Sequence, residues 1–170
     1  MVEFLAYSGM RVGEAREVRF EDVNLEVGSV LITGSELGTK NHQERVIPLY
    51  LNLRNLLVRL IAARDSTDLS GRIFDIDSPR GAMKLACKRA GLKQFSVHSL
   101  RHFFASYAIE SGINFKVVSE WLGHSDGGIL VAKTYGHLRA EYSAAMAEKM
   151  SFEAFDVPRV LPFKTGSKAA

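Results

Sequence analysis

Two short runs rich in β-branched residues, 27–33 and 44–49, flank a polar stretch at 34–43, while the apolar residues of the longer segments around them recur at three- and four-residue spacing. β-Branched text bounded by polar residues suits a strand, and the three-to-four spacing suits one face of a helix. The chain is therefore expected to be mainly α with one small antiparallel β-hairpin carrying a long tip, an α+β fold. Helices are expected at 2–7, stopped by Ser8-Gly9, and at 12–19. An amphipathic helix is expected at 52–64, its leucines and isoleucine toward a core and its arginines toward water. Further helices follow at 79–91, framed by Pro79 and Gly91, at 98–111, at 114–122, at 129–135 and, alanine-rich, at 139–150. Residues 151–170 hold two prolines and a small-residue end, so regular structure should fade there.

The 170 residues are 46% hydrophobic and 24% charged, enough apolar surface for one globular domain, taken here as 1–150 with 151–170 as a tail. That tail keeps Phe152, Phe155, Val157, Val160, Leu161 and Phe163, more apolar surface than a solvated tail carries, so part of it is expected to dock. A net charge of +3 leans toward an anionic partner without resembling a polybasic arm. The single cysteine, Cys87, excludes an intramolecular disulfide and reads as a buried, inert thiol. Residues 1–10 carry Glu3, lack a basic leader and are too short to cross a bilayer. A cytoplasmic protein is expected.

Several short motifs can carry chemistry. In His98-Ser99-Leu100-Arg101-His102 the first histidine and the arginine are three apart on a helix and face one ligand. A planar guanidinium holds two phosphate oxygens, and an imidazole donates to a third or moves a proton near neutral pH. Gly9-Met10-Arg11-Val12-Gly13-Glu14 presents an arginine at a helix start, where anions are favoured, beside a carboxylate able to orient a basic neighbour. Lys40 sits in the hairpin tip, His124 follows a glycine-ended helix in Trp121-Leu122-Gly123-His124-Ser125, and Tyr135 lies in Thr134-Tyr135-Gly136-His137-Leu138. Taken singly, each has an ordinary reading as a core histidine, a surface cation or a packing tyrosine. A phenol becomes a useful nucleophile only where cations stabilise the phenolate and neutralise the phosphate under attack.

The ordered set Arg11, Lys40, His98-x-x-Arg101, His124, Tyr135 resembles the catalytic set of the tyrosine recombinases, the phage and mobile-element integrases. The surrounding text is similar too: residues 7–14 resemble the first-arginine box, Arg45-Val46-Ile47-Pro48-Leu49 the strand after the lysine loop, and 98–104, 122–124 and 134–138 the remaining boxes. The resemblance runs from about residue 2 to about residue 147. It implies that Tyr135 attacks a DNA phosphodiester, forming a 3′-phosphotyrosyl bond and releasing a 5′-hydroxyl, with no metal or nucleotide cofactor. Arg11 and Arg101 would clamp the non-bridging oxygens, Lys40 would protonate the leaving oxygen, and His98 would help take the Tyr135 proton. His124 would hydrogen-bond the phosphate, and Glu14 would hold Arg11 or His98 in place.

In this frame Arg80, Lys84 and Lys88 on the basic helix become candidate contacts to double-stranded DNA, and the tail becomes a candidate for self-association by packing on a neighbouring protomer. Two departures stand out. Tyr135 follows His124 by eleven residues, with Gly127-Gly128 in the added stretch, which is expected to lengthen a loop without moving the helix of the tyrosine. The family's N-terminal DNA-binding domain and first catalytic helix precede the Arg11 box, and both are expected to be missing from this chain. Two rivals stay open: a non-catalytic DNA-binding relic of a recombinase, and a type IB topoisomerase-like enzyme using the same tyrosine chemistry.

Overall fold

Gly9 ends the first helix, α1 (Val2–Ser8), by taking φ 66°, in the left-handed region that favours glycine, in the computed structural model, which describes residues 1–33, 44–64, 69–136 and Ala147. The turn lets Arg11 open α2 (Val12–Glu17) with its backbone N–H donating to the Glu14 carboxylate at 2.9 Å. That helix is shorter than the expected 12–19. Val18 turns extended (φ −62°, ψ 128°), is buried, and gives its carbonyl to the Ile73 amide at 3.0 Å, so tertiary pairing replaces another helical turn.

The two β-branched runs form β2 (Ser29–Ile32) and β3 (Arg45–Pro48), antiparallel with Val30 opposite Ile47 and Ile32 opposite Arg45. The sides alternate as a pleat requires: Val30, Ile32 and Ile47 are buried, while Leu31 and Val46 face outward. A strand the sequence did not suggest, β1 (Val23–Asn24), pairs with the other edge of β2, giving the order β1-β2-β3. Two residues are too few to leave a periodic signature. The expected hairpin tip, Lys40 included, lies outside the described residues.

Helices follow near their expected places: α3 (Leu51–Ala62), α4 (Arg80–Arg89), α5 (Val97–Glu110), α6 (Phe115–Leu122) and α7 (Ile129–Tyr135). Ser96 and Ser99 cap α5 reciprocally, each hydroxyl accepting the other residue's N–H at 3.1 and 3.2 Å. Asn114 caps α6 by accepting from the Lys116 amide at 2.8 Å, and Gly123 ends it at φ 69°. On α4, Met83 and the Cys87 thiol are buried, and Arg80, Lys84 and Lys88 are exposed. The expected helix at 139–150 and the tail at 151–170 fall outside the described residues, Ala147 excepted. Among the described residues no helix is long and apolar enough to cross a membrane.

The core comes in two clusters, and α5 belongs to both. Its Val97 and Leu100 join Phe4, Leu5, Met10, the sheet and α3, whereas Phe104, Ala105, Ala108 and Ile109 join α6 and α7 through Val118, Leu122, Val131 and Tyr135. Each fully buried leucine or phenylalanine contributes about 1.5–3 kcal/mol, so the two clusters hold α5 as a fixed spine from which His98, Arg101 and His102 project. Gly9 lies against that spine. A Cβ there would press into the Phe104 ring and stand 2.9 Å from the Leu122 side chain.

Gly9→Ala should therefore cost about 2–4 kcal/mol in urea denaturation, combining left-handed strain with overpacking. Gly28→Ala, at φ 75° with no atom within 4 Å of the added methyl, should lose only the strain part, about 1 kcal/mol. Equal losses would show that Phe104 and Leu122 do not constrain the turn.

Candidate active site

Arg101 lies on the buried side of α5 and is 5% exposed. Its Nη1 donates to the Gly9 carbonyl at 2.8 Å and its Nη2 to the Leu122 carbonyl at 2.7 Å. These oxygens belong to the C-terminal ends of α1 and α6, where helices leave carbonyls unpaired and where a cation is favoured. Arg101 Nη2 also stands 2.9 Å from His124 Nε2. A guanidinium can only donate, so Nε2 is the acceptor and the neutral His124 ring carries its proton on Nδ1. That Nδ1 is buried with no hydrogen-bond partner among the described residues.

A second network orients Arg11. Its Nη1 donates to Glu14 Oε1 at 3.0 Å, and the same carboxylate accepts Arg45 Nη2 at 2.6 Å and Nη1 at 3.3 Å. Arg45 Nε reaches the Trp121 carbonyl at 2.9 Å, another bond to the end of α6. Burial pushes the Glu14 carboxyl up, but the hydrogen bonds and charge of Arg45, with the bonds from Arg11, outweigh it and leave its pKa below the usual carboxylate value. Glu14 thus holds Arg11 and Arg45; the structure gives it no bond to His98.

Arg11, His98, Arg101, His102, His124 and Tyr135 line one pocket of about 320 Å³, with Leu122, Leu130, Val131 and Thr134 as its apolar wall. Two guanidiniums and three imidazoles thus converge on one phenol. Burial, then the neighbouring Arg11 charge, lowers the Arg101 pKa to about 10. Burial also lowers His98 and His124, and the surrounding cations, Arg101 and Arg11 among them, push both further the same way. For Tyr135 burial raises the pKa and Arg101 offsets only part of the rise. Like charges that destabilise one another around an open cavity make a site for an anion.

Tyr135 is the last residue of α7, its ring buried against the second cluster. The glycines before that helix adopt φ 64° and 100°, and Asp126 takes up the Gly128 and Leu130 amides at 3.0 and 2.8 Å, so the loop closes on itself ahead of α7. Tyr135 still reaches the pocket. Its hydroxyl meets His102 Nδ1, and the His98 and His102 rings stand edge to face with centroids 4.7 Å apart. Of the expected residues, Arg80, Lys84 and Lys88 lie apart from the lining of this pocket, exposed on α4. Among the described residues no group of three or more His, Cys, Asp or Glu is placed to hold a metal ion.

The phage integrase family model matches residues 1–142, most of the chain. The chain belongs to the phage integrase family, the tyrosine recombinases. Among curated relatives it is 35% identical over 155 residues to tyrosine recombinase XerD of Staphylococcus haemolyticus, covering 81% of this chain and 49% of that protein. It is also 31% identical over 152 residues to tyrosine recombinase XerC of Xanthomonas axonopodis pv. citri, covering 85% and 48%. The chain thus spans about half the length of the curated relatives it matches. Among solved structures, the catalytic domain of bacteriophage HP1 integrase superposes with a TM-score of 0.62 at 24% identity, covering 91% of this chain and 83% of that one. The Tn1549 transposon integrase in complex with a circular intermediate DNA gives 0.66 at 17% identity, covering 88% and 57%. Both share the integrase-type catalytic fold, mostly helical with a small antiparallel sheet.

Two residues that shape this recombinase-type pocket escaped the sequence reading. His102 was legible as a fourth-residue neighbour of His98 on one helix face, a spacing that puts both rings together. Arg45 begins a strand and gave no such signal, because its two partners, Glu14 and the Trp121 carbonyl, are distant in sequence.

Glu14→Gln should cost about 1.5–3 kcal/mol at neutral pH, because two arginines lose a charged acceptor. The Glu14 pKa is depressed in the fold, so the stability it contributes is complete above its unfolded value of about 4.5 and is lost as pH falls through its lower folded value. The gap between parent and variant in thermal denaturation should therefore close on acidification below that value. A constant gap would show that the carboxylate charge is not what holds Arg11 and Arg45.

Proposed function

We propose that this chain is the strand-transferring part of a site-specific DNA recombinase, cleaving and rejoining DNA through a 3′-phosphotyrosyl intermediate at Tyr135. The observation that carries the reading is the convergence of Arg11, Arg101, His98, His102 and His124 on the Tyr135 pocket, a cationic cavity of a size to hold a phosphate beside a phenol. The tyrosine attacks phosphorus and expels the 5′-oxygen, exchanging one phosphodiester-type ester for another, so the bond energy stays in the enzyme. The task left to the protein is to stabilise a crowded, highly charged transition state.

Arg11 and Arg101 take the non-bridging oxygens. Arg101 keeps further N–H groups beyond those given to Gly9, Leu122 and His124, and its anchored half makes the clamp rigid before DNA arrives. His124 donates to the phosphate once its ring proton moves from Nδ1 to Nε2 and the bond from Arg101 is given up, Lys40 protonates the leaving 5′-oxygen, and His98 borders the attacking group. Arg80, Lys84 and Lys88, exposed along α4, bind backbone phosphates of duplex DNA, which positions the substrate without reading its sequence. The solved relatives support DNA as the substrate: the Tn1549 integrase was seen with a circular intermediate DNA and XerH recombinase with its difH substrate.

Self-association on DNA through the apolar tail completes the reading. A cavity of about 370 Å³ lined by Ala6, Tyr7, Tyr50, Phe103, Tyr107 and Trp121 among others offers an apolar seat for the phenylalanines of a neighbouring copy's tail.

The test is covalent capture. Nicked duplexes bearing candidate sites are incubated with the polypeptide its gene encodes, and adducts that survive denaturant are scored. The parent should form an adduct and Tyr135→Phe none. DNA binding without any adduct from the parent would favour the non-catalytic relic. Supercoil relaxation with no exchange between two duplexes would favour a topoisomerase.

A further inference from the structure

We infer that His102 is the residue that receives the Tyr135 proton, a role distinct from that of His98; the inference rests on the strand-transfer reading above. Three observations place it there. His102 Nδ1 is the ring nitrogen that meets the Tyr135 hydroxyl, the atom that must lose a proton as it attacks. His98 is not interposed: its ring packs edge-on against that of His102, at an interplanar angle of 86°. Both histidines stand on α5, one turn apart, so the contact to α7 is held by the two-sided burial of α5 and not by a loop.

The chemistry balances. Neutral His102 carries its proton on Nε2 and leaves Nδ1 free to accept. As the Tyr135 Oη–P bond forms and the bond from phosphorus to the 5′-oxygen breaks, the phenolic proton passes to Nδ1, and the departing oxygen takes its proton from Lys40. Religation runs the same transfers backward: the incoming 5′-hydroxyl gives up its proton, and Tyr135 recovers its own from His102. The charged and titratable groups that line the same pocket as His102 are His98 and Arg101 on α5, Tyr135 on α7, Arg11 at the start of α2, and His124 after α6. Arg101 touches the ends of α1 and α6 and cannot accept a proton, which leaves His102 as the base in direct contact.

The experiment is single-turnover adduct formation on a nicked duplex whose scissile 5′-bridging atom is oxygen or sulfur; a sulfur leaving group needs no proton. His102→Ala should slow adduct formation by roughly 10²–10³-fold on both substrates with DNA binding unchanged, and free imidazole should restore part of the rate. Lys40→Ala should be slow on oxygen and recover on sulfur. His102→Asn can still accept a hydrogen bond at the Nδ1 position but cannot take a proton. It should stay slow. The assignment is overturned if His102→Ala stays within about threefold of the parent, if sulfur rescues it, or if His102→Asn regains the parental rate, which would leave His102 a spacer. A parent that forms no adduct on either substrate overturns the strand-transfer reading, and this inference falls with it.

Discussion

The buried guanidinium of Arg101 is the interaction on which the site depends. Through the carbonyls of Gly9 and Leu122 it joins the end of α1 to the end of α6, and through its own helix it joins both to α5. A charge that deep is tolerated only when hydrogen-bonded, and two helix termini supply oxygens that would otherwise be orphaned. The left-handed turn at Gly9, the tight approach of Phe104 and the shape of the Arg11 corner follow from this junction. Arg45 repeats the device one residue earlier on α6, and Glu14 ties Arg45 to Arg11. The site is thus assembled from helix ends stitched together by arginines, with the apolar clusters on either side as ballast.

On the proposed strand-transfer reading, that architecture would let a weak acid serve as a nucleophile. Burial alone pushes Tyr135 the wrong way, and Arg101 corrects only part of it. Burial first, and then the mutual repulsion of the cations, depresses the pKa values of Arg101, His98 and His124. On that reading a phosphate entering the pocket would relieve that repulsion while bringing the electrophile to the phenol. Binding and activation are then one event, with the electrostatic work done in advance by a rigid scaffold.

Most of the fold was legible because its elements follow local rules. Gly9, Gly123 and the Asn114 cap mark helix ends by side-chain chemistry that operates within a few residues, and the β-branched runs carry their own strand preference. What was not legible depends on long-range pairing: the two-residue strand at Val23–Asn24, the early stop of α2 forced by Ile73, and the capture of Arg45 by Glu14. In the site, the order of charged residues announced the pocket, but not which histidine faces the phenol. His98 and His102 are equivalent on a helical wheel to within a turn, and only the position of α7 separates them.

The most direct measurement is the mass of the DNA-bearing peptide after denaturation, nuclease trimming and trypsin digestion of the protein–DNA adduct. Cleavage after Lys133 and Arg139 isolates Thr134 to Arg139, with Tyr135 as the nucleophile at issue. Strand transfer by Tyr135 leaves residual nucleotide attached to it through a 3′-phosphate in that peptide. Nucleotide on any other residue, or attached through a 5′-phosphate, would contradict it.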